Sequence, residues 1–150
     1  MRIHELTRTT HVDRPLGEVF SFFADPANLE LLTPLWLRFE VVSPRPIEMR
    51  AGTRIDYRLR LHGFPIRWQS EITEWNPPSR FVDEQCRGPY RLWRHKHRFA
   101  EADGGTDIID FVQYAVPFDA LSHKWLVRPD IQRIFDFREK KMRELFPART

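Results

Sequence analysis

The chain has 150 residues, 30% of them charged and 41% hydrophobic, long enough for one well-formed core and too apolar for a disordered segment. Its 24 basic and 21 acidic side chains leave a net charge of only +3, spread in alternating signs rather than gathered on one face, which argues against nucleic acid as a partner. No apolar run approaches the roughly 18–20 residues of a spanning helix, so no integral membrane association is expected.

In chain order, residues 3–12 alternate weakly and carry β-branched side chains, which predicts a first strand. Pro15 suits the first turn of a helix, and Leu16, Val19, Phe20 and Phe23 follow at helical spacing. Asp25-Pro26 stops that helix. Leu29, Leu31 and Leu32 predict a short second one, ended near Thr33-Pro34. From about Trp36 to Pro117 the period becomes two. Leu37–Val42 alternates and is closed by Pro44 and Pro46. Ile55, Tyr57, Leu59 and Leu61 share one face against Arg54, Asp56, Arg58 and Arg60, the clearest amphipathic strand in the chain. After a turn at residues 62–65, Ile66, Trp68, Ser70 and Ile72 oppose Arg67, Gln69, Glu71 and Thr73. Further strands are expected at Arg80–Cys86, Tyr90–Phe99 and Thr106–Val116, with turn signals at Asn76–Ser79, Gly88-Pro89 and Asp103–Gly105. Leu121 and Trp125 suggest a short helix interrupted at Arg128-Pro129. Ile131, Ile134, Phe135, Arg138, Met142, Leu145 and Phe146 then form the apolar stripe of a long last helix. The expectation is one α+β domain over residues 1–150, with an antiparallel meander of six strands and a helix that buries its stripe on the sheet.

The strand of residues 90–99 carries the sharpest chemical signal. Successive side chains point to opposite faces, so Trp93, His95, His97 and Phe99 share one side and Leu92, Arg94, Lys96 and Arg98 the other. The basic row belongs in water, which carries both imidazoles indoors. A buried donor left unsatisfied costs about 1–3 kcal/mol, so the histidines need polar partners inside an apolar interior. If Phe81 faces inward, so do Asp83 and Gln85. On the last strand Ile108, Asp110, Val112 and Tyr114 compete with Ile109, Phe111, Gln113 and Ala115, and periodicity does not decide between them.

The order strand, two short helices, six-strand meander and long C-terminal helix is similar to the START-like, or SRPBCC, superfamily of helix-grip proteins, which includes birch-pollen-allergen-like and polyketide cyclase/dehydrase-like proteins. The run from Val12 to Phe20 (VDRPLGEVF) resembles its entry to the first helix, Phe23–Leu29 (FADPANL) its helix–helix junction, and Trp75–Phe81 (WNPPSRF) its turn between central strands. Gln85–Phe99, with Asp110–Tyr114 and Pro117 after it, resembles a subgroup of small bacterial members. The resemblance covers nearly the whole chain and implies a curved antiparallel sheet gripping the last helix around a cavity. It favours Asp110 and Tyr114 inward, and implies ligands such as lipids, quinones or polyketide-like compounds.

The candidate ligand-binding residues are therefore Tyr57, Trp68, Ser70, Asp83, Gln85, Trp93, His95, His97, Asp110, Tyr114, Phe135 and Arg138, with Trp36 and Leu37 placed to line a pocket mouth. Three roles compete for the polar members: a self-satisfied network pinning the sheet, the polar handle of an apolar pocket of about 300–1,000 Å³, or a cyclase/dehydratase-like centre using His95, His97 and Asp110 as acid–base groups. A His-x-His pair with a carboxylate nearby also has the donor types of a metal site, but without a clear third ligand no metal is assigned. The expected function is binding of a hydrophobic or aromatic small molecule, with no cofactor. The alternatives are a cyclase/dehydratase-like enzyme, or a partner-binding protein with a filled interior and an exposed apolar patch. Cys86 stands alone, which excludes an intrachain disulfide, and Met1–Leu6 lacks the apolar stretch of a secretory signal, so a cytoplasmic location is expected.

Overall fold

The computed structural model describes residues 1–148. Alternating burial organises the described residues into seven strands: β1 (His4–Val12), β2 (Glu40–Val41), β3 (Arg54–Leu61), β4 (Phe64–Asn76), β5 (Arg80–Arg87), β6 (Leu92–Ala102) and β7 (Gly105–Ala115). They form one antiparallel sheet in the order β1-β7-β6-β5-β4-β3-β2. β2 to β7 form the meander, and β1 pairs with β7 to extend the sheet beyond its last hairpin. Two register shifts in β4, between Gln69 and Ser70 and between Ile72 and Glu74, bend and twist the strand as bulges do.

α1 (Leu16–Phe23) begins after Pro15 and buries Val19, Phe20 and Phe23. The second helix expected at Leu29–Leu32 is a 3-10 turn, Pro26–Glu30, with the Asp25 carboxylate accepting from the Ala27 amide at its start. A further 3-10 turn covers Leu35–Leu37, and Arg38 follows it in the left-handed region at φ 47°. That reversal cuts the strand expected at Leu37–Val42 down to the two residues of β2.

The break expected at Arg128-Pro129 is absent. α2 (Asp119–Ser122) passes through a π segment at His123–Val127 directly into α3 (Arg128–Leu145). Pro129 lies in the first turn of α3, where its missing N–H is tolerated and the wider preceding turn gives its ring room. Among the described residues no helix is long and apolar enough to cross a membrane.

α3 lies across the sheet with Ile131, Phe135, Arg138 and Met142 buried. Its stripe spans two apolar clusters. Met142 and Phe146 join Phe20, Phe23, Phe81 and Phe99 in one, while Ile131 and Phe135 join Val112, Tyr114 and Val116 in the other. Arg138 falls between them, one helical turn from each neighbour on the stripe.

A candidate ligand cavity with a buried His–Asp–Arg cluster

The register of β5, β6 and β7 assembles a polar layer between the two apolar clusters. Asp83 lies opposite His95, and His97 opposite both Phe81 and Asp110. These residues share the concave face because side chains alternate, and on β7 that face carries Ile108, Asp110, Val112 and Tyr114, all buried. The undecided parity thus resolves with Asp110 and Tyr114 inside.

Within the layer, the His95 Nε2–H donates to Asp110 Oδ1 at 2.8 Å and the His97 Nε2–H donates to Asp83 Oδ2 at 2.6 Å. The Arg138 guanidinium donates to Asp110 Oδ1 at 3.3 Å and to His97 Nδ1 at 3.5 Å. A guanidinium has no acceptor atoms, so His97 Nδ1 is the accepting nitrogen and the proton sits on Nε2. The two imidazoles stack at 3.7 Å, and Phe81 covers the far face of His97 at 4.1 Å. Arg138 also lies over Phe23 at 5.3 Å, a favourable site for a cation on an aromatic face.

Burial, then the neighbouring His95, pushes the His97 pKa down to about 4. Burial works to raise the carboxyls of Asp110 and Asp83. Arg138 and His95 outweigh it at Asp110, and the His97 bond outweighs it at Asp83, so both lie below the ordinary range. Burial, followed by the charge of Asp83, raises Tyr57 and keeps its phenol protonated. The layer therefore holds two carboxylates, one guanidinium and a neutral His97.

Beside this layer lies a cavity of about 170 Å³. Its floor is the sheet: Tyr57, Leu59 and Leu61 of β3, Trp68 and Ser70 of β4, Asp83 of β5, and Trp93, His95 and His97 of β6. Ile131, Ile134, Phe135 and Arg138 of α3 form the opposite wall. Leu29, Leu32, Thr33, Leu37 and Phe39 close it from the irregular segment before β2, with Pro89 and Tyr90 at the β5–β6 turn. The volume is smaller than the several hundred Å³ expected, because Trp68, Tyr90 and Trp93 pack against one another in its wall with ring centroids 4.9–5.5 Å apart. The Trp68 indole N–H is satisfied by Ser70 Oγ at 2.9 Å.

Of the twelve candidate residues, Tyr57, Trp68, Ser70, Asp83, Trp93, His95, His97, Phe135 and Arg138 line this cavity. Gln85, Asp110 and Tyr114 do not. Gln85 folds back on its own turn, donating to the Tyr90 carbonyl at 2.8 Å and accepting from the Tyr90 amide at 3.1 Å. A Cβ on Gly88 would sit 2.4 Å from that amide oxygen, so the clasp needs glycine there. Asp110 stands behind His95 and Arg138. Tyr114 sends its hydroxyl outward to His123 Nε2 at 2.8 Å, among residues that join β1 to α2. Leu37 lines the cavity, while Trp36 lies under the Arg133 guanidinium at 4.6 Å.

Phe39, Leu29, Leu32 and Tyr90 are cavity residues that periodicity missed. The first three sit in or beside 3-10 turns, where neither helical nor strand spacing applies. Tyr90 belongs by parity to the basic row, but the Gln85 clasp on its backbone turns the ring inward.

Asp83, His95 and His97 each offer a ligand atom within 4.8 Å of the others, so Asp83 supplies the third metal-type donor that sequence reading lacked. His97, however, is bonded at both nitrogens, and one partner is a cation. A metal ion there would have to displace Asp83 from its hydrogen bond and lie beside Arg138. His4, Asp119 and His123 form a second such group, in which the two rings stack at 3.4 Å. Near-parallel stacked rings direct their lone pairs alongside one another rather than at a common centre.

The sequence has no match among curated proteins. Solved structures resemble it in fold. Protein CV1439 from Chromobacterium violaceum aligns at TM-score 0.74 and 18% identity, covering 99% of this chain and 100% of that one. Ginseng major latex-like protein 151 from Panax ginseng aligns at TM-score 0.72 and 8% identity over 97% and 99%. Protein Ms6760 from Mycobacterium smegmatis aligns at TM-score 0.69 and 20% identity over 97% and 96%. These likenesses support the helix-grip α+β fold that the sheet and α3 display. The model of the family described as polyketide cyclase / dehydrase and lipid transport matches residues 12–143, and with that match over most of its length the chain belongs to this family.

Proposed function

We propose that the protein binds a small hydrophobic or aromatic molecule in the cavity between the sheet and α3. The observation that carries this reading is a largely apolar, aromatic-walled cavity in which Asp83, His95, His97 and Arg138 form one polar cluster. That is the usual division of labour in ligand sites, where apolar walls supply affinity and a few fixed polar groups supply orientation. An apolar cavity of about 150 Å³ accommodates benzene, so a volume of about 170 Å³ suits one substituted ring better than a diacyl lipid. Membership of a family described by cyclisation, dehydration and lipid transport is consistent with such a ligand. Titration of the 15N-labelled protein with propylbenzene is expected to shift the indole N–H signals of Trp68 and Trp93 saturably. Leu59→Trp, which fills the cavity, is expected to abolish the shifts while leaving the far-UV circular dichroism unchanged. Unsaturable shifts, or equal affinity in the variant, would refute the reading.

A second reading, catalysis of a cyclase/dehydratase type, draws on one observation. His95 lies in the cavity wall with its Nε2 on Asp110, the arrangement by which a carboxylate orients an imidazole for proton transfer. His97 has both nitrogens engaged. In this reading His95 is the proton-transferring group and His97 and Asp110 position it.

A further inference from the structure

Resting on the ligand-binding reading above, we infer that the cavity selects ligands presenting a hydroxyl donor, such as a phenol or enol, over the corresponding ethers. The argument is an inventory of donors and acceptors. Arg138 lines the cavity and commits its Nη2 to Asp110 and His97. Its Nε is buried without a partner and sealed from solvent, so it is not available to a ligand. The Nε2–H groups of His95 and His97 are both committed to carboxylates. Both imidazole Nε2–H donors of the layer are thus taken.

Acceptors are left facing the cavity. Asp83 commits Oδ2 to His97, and its side chain keeps 19% exposure. It therefore offers carboxylate oxygen to whatever enters. The Arg138 guanidinium bonds to Asp110, whereas Asp83 bonds to the neutral His97 ring. At Asp83 an O–H donor meets a charge-assisted acceptor. Tyr57, a protonated phenol in the same wall, and Ser70, whose oxygen already accepts from Trp68, have hydroxyl hydrogens to return to the ligand's oxygen. One hydroxyl thus finds both an acceptor and a donor.

The test is a matched panel, 4-propylphenol, 4-propylanisole, 4-propylbenzoate and propylbenzene, titrated into the intact protein and followed at the Trp68 and Trp93 indole signals. The phenol is expected to bind about ten-fold or more tighter than the anisole, as a hydrogen bond to a charged acceptor implies. In Asp83→Asn the amide oxygen keeps the His97 bond and the NH2 group turns to the cavity, so the preference for phenol over anisole is expected to vanish or reverse. Equal affinity for phenol and anisole in the wild-type protein would overturn the inference, needing no variant to fold. Tightest binding of the benzoate would overturn it too, by showing that Arg138 reaches the ligand. Zn2+ that excludes the phenol at equimolar concentration would assign the same acceptors to a metal. Failure of all four compounds, propylbenzene included, would remove the ligand-binding reading itself, and this selectivity with it.

Discussion

His97 is held neutral by burial, by His95 and by Arg138, while its bond to Asp83 works in the opposite direction. Its pKa of about 4 lies below the ordinary histidine value of 6.5, so the unfolded chain binds the proton more readily. The stability this contributes is fully present above pH 6.5 and is lost as pH falls towards 4. The lowered carboxyls of Asp83 and Asp110 act with the same sign below about pH 4. The melting temperature is therefore expected to drop progressively from pH 7 to pH 4, with a free-energy loss on the order of 3 kcal/mol. Scanning calorimetry across that range checks it, and a flat profile would contradict the neutral assignment. At this scale strand alternation made much of the layer legible: a row of Trp, His, His and Phe opposite a row of Leu, Arg, Lys and Arg has one sensible inside. Asp110 was not legible from alternation, because Ile108 and Ile109 are equally apolar anchors for the two faces. Gln85 misled for another reason. It obeys the parity of Phe81 and Asp83, but the Gly88 turn lets its amide satisfy the local backbone.

α3 carries the largest apolar stripe outside the sheet, and Arg138 interrupts it where the two clusters meet. Helical spacing alone showed Ile131, Phe135, Arg138 and Met142 on one side. It did not show that the arginine has carboxylate and imidazole partners waiting on β6 and β7. Met142 is buried to 1% exposure among Phe and Val side chains of the first cluster, so Met142→Ala is expected to cost about 2–5 kcal/mol. Chemical denaturation checks this, and a loss under 1 kcal/mol would mean the helix end is not gripped. Elements with one unbroken period, β3, β6 and α3, were the readable ones. The stretch between α1 and β3 was not, because its turns are 3-10 and its one strand has two residues. Leu29, Leu32, Thr33 and Phe39, cavity residues from that stretch, went unrecognised as a result. The π segment before α3 was likewise read as a break, since Pro129 signals an end unless the preceding turn widens to receive it.

For the molecule as a whole, the order of elements was the most legible property, because a period of two between helical flanks limits the packing to a sheet against a helix. The family match over residues 12–143 agrees with that order. What a sequence of this kind does not display is how much empty space the packing leaves, since Trp68, Tyr90 and Trp93 are core side chains and cavity walls at once.

The edge position of β1 has a kinetic consequence. Hairpins from β3 to β7 join neighbours in the chain, whereas β1 meets β7 through pairs such as His4 with Tyr114, whose loop-closure entropy must be met before any contact rewards it. Refolding is expected on the order of milliseconds to seconds, with amide protection in the first strand arriving last in pulse-labelled hydrogen exchange. Early protection there would mean that the ends of the chain meet before the hairpins between them have formed.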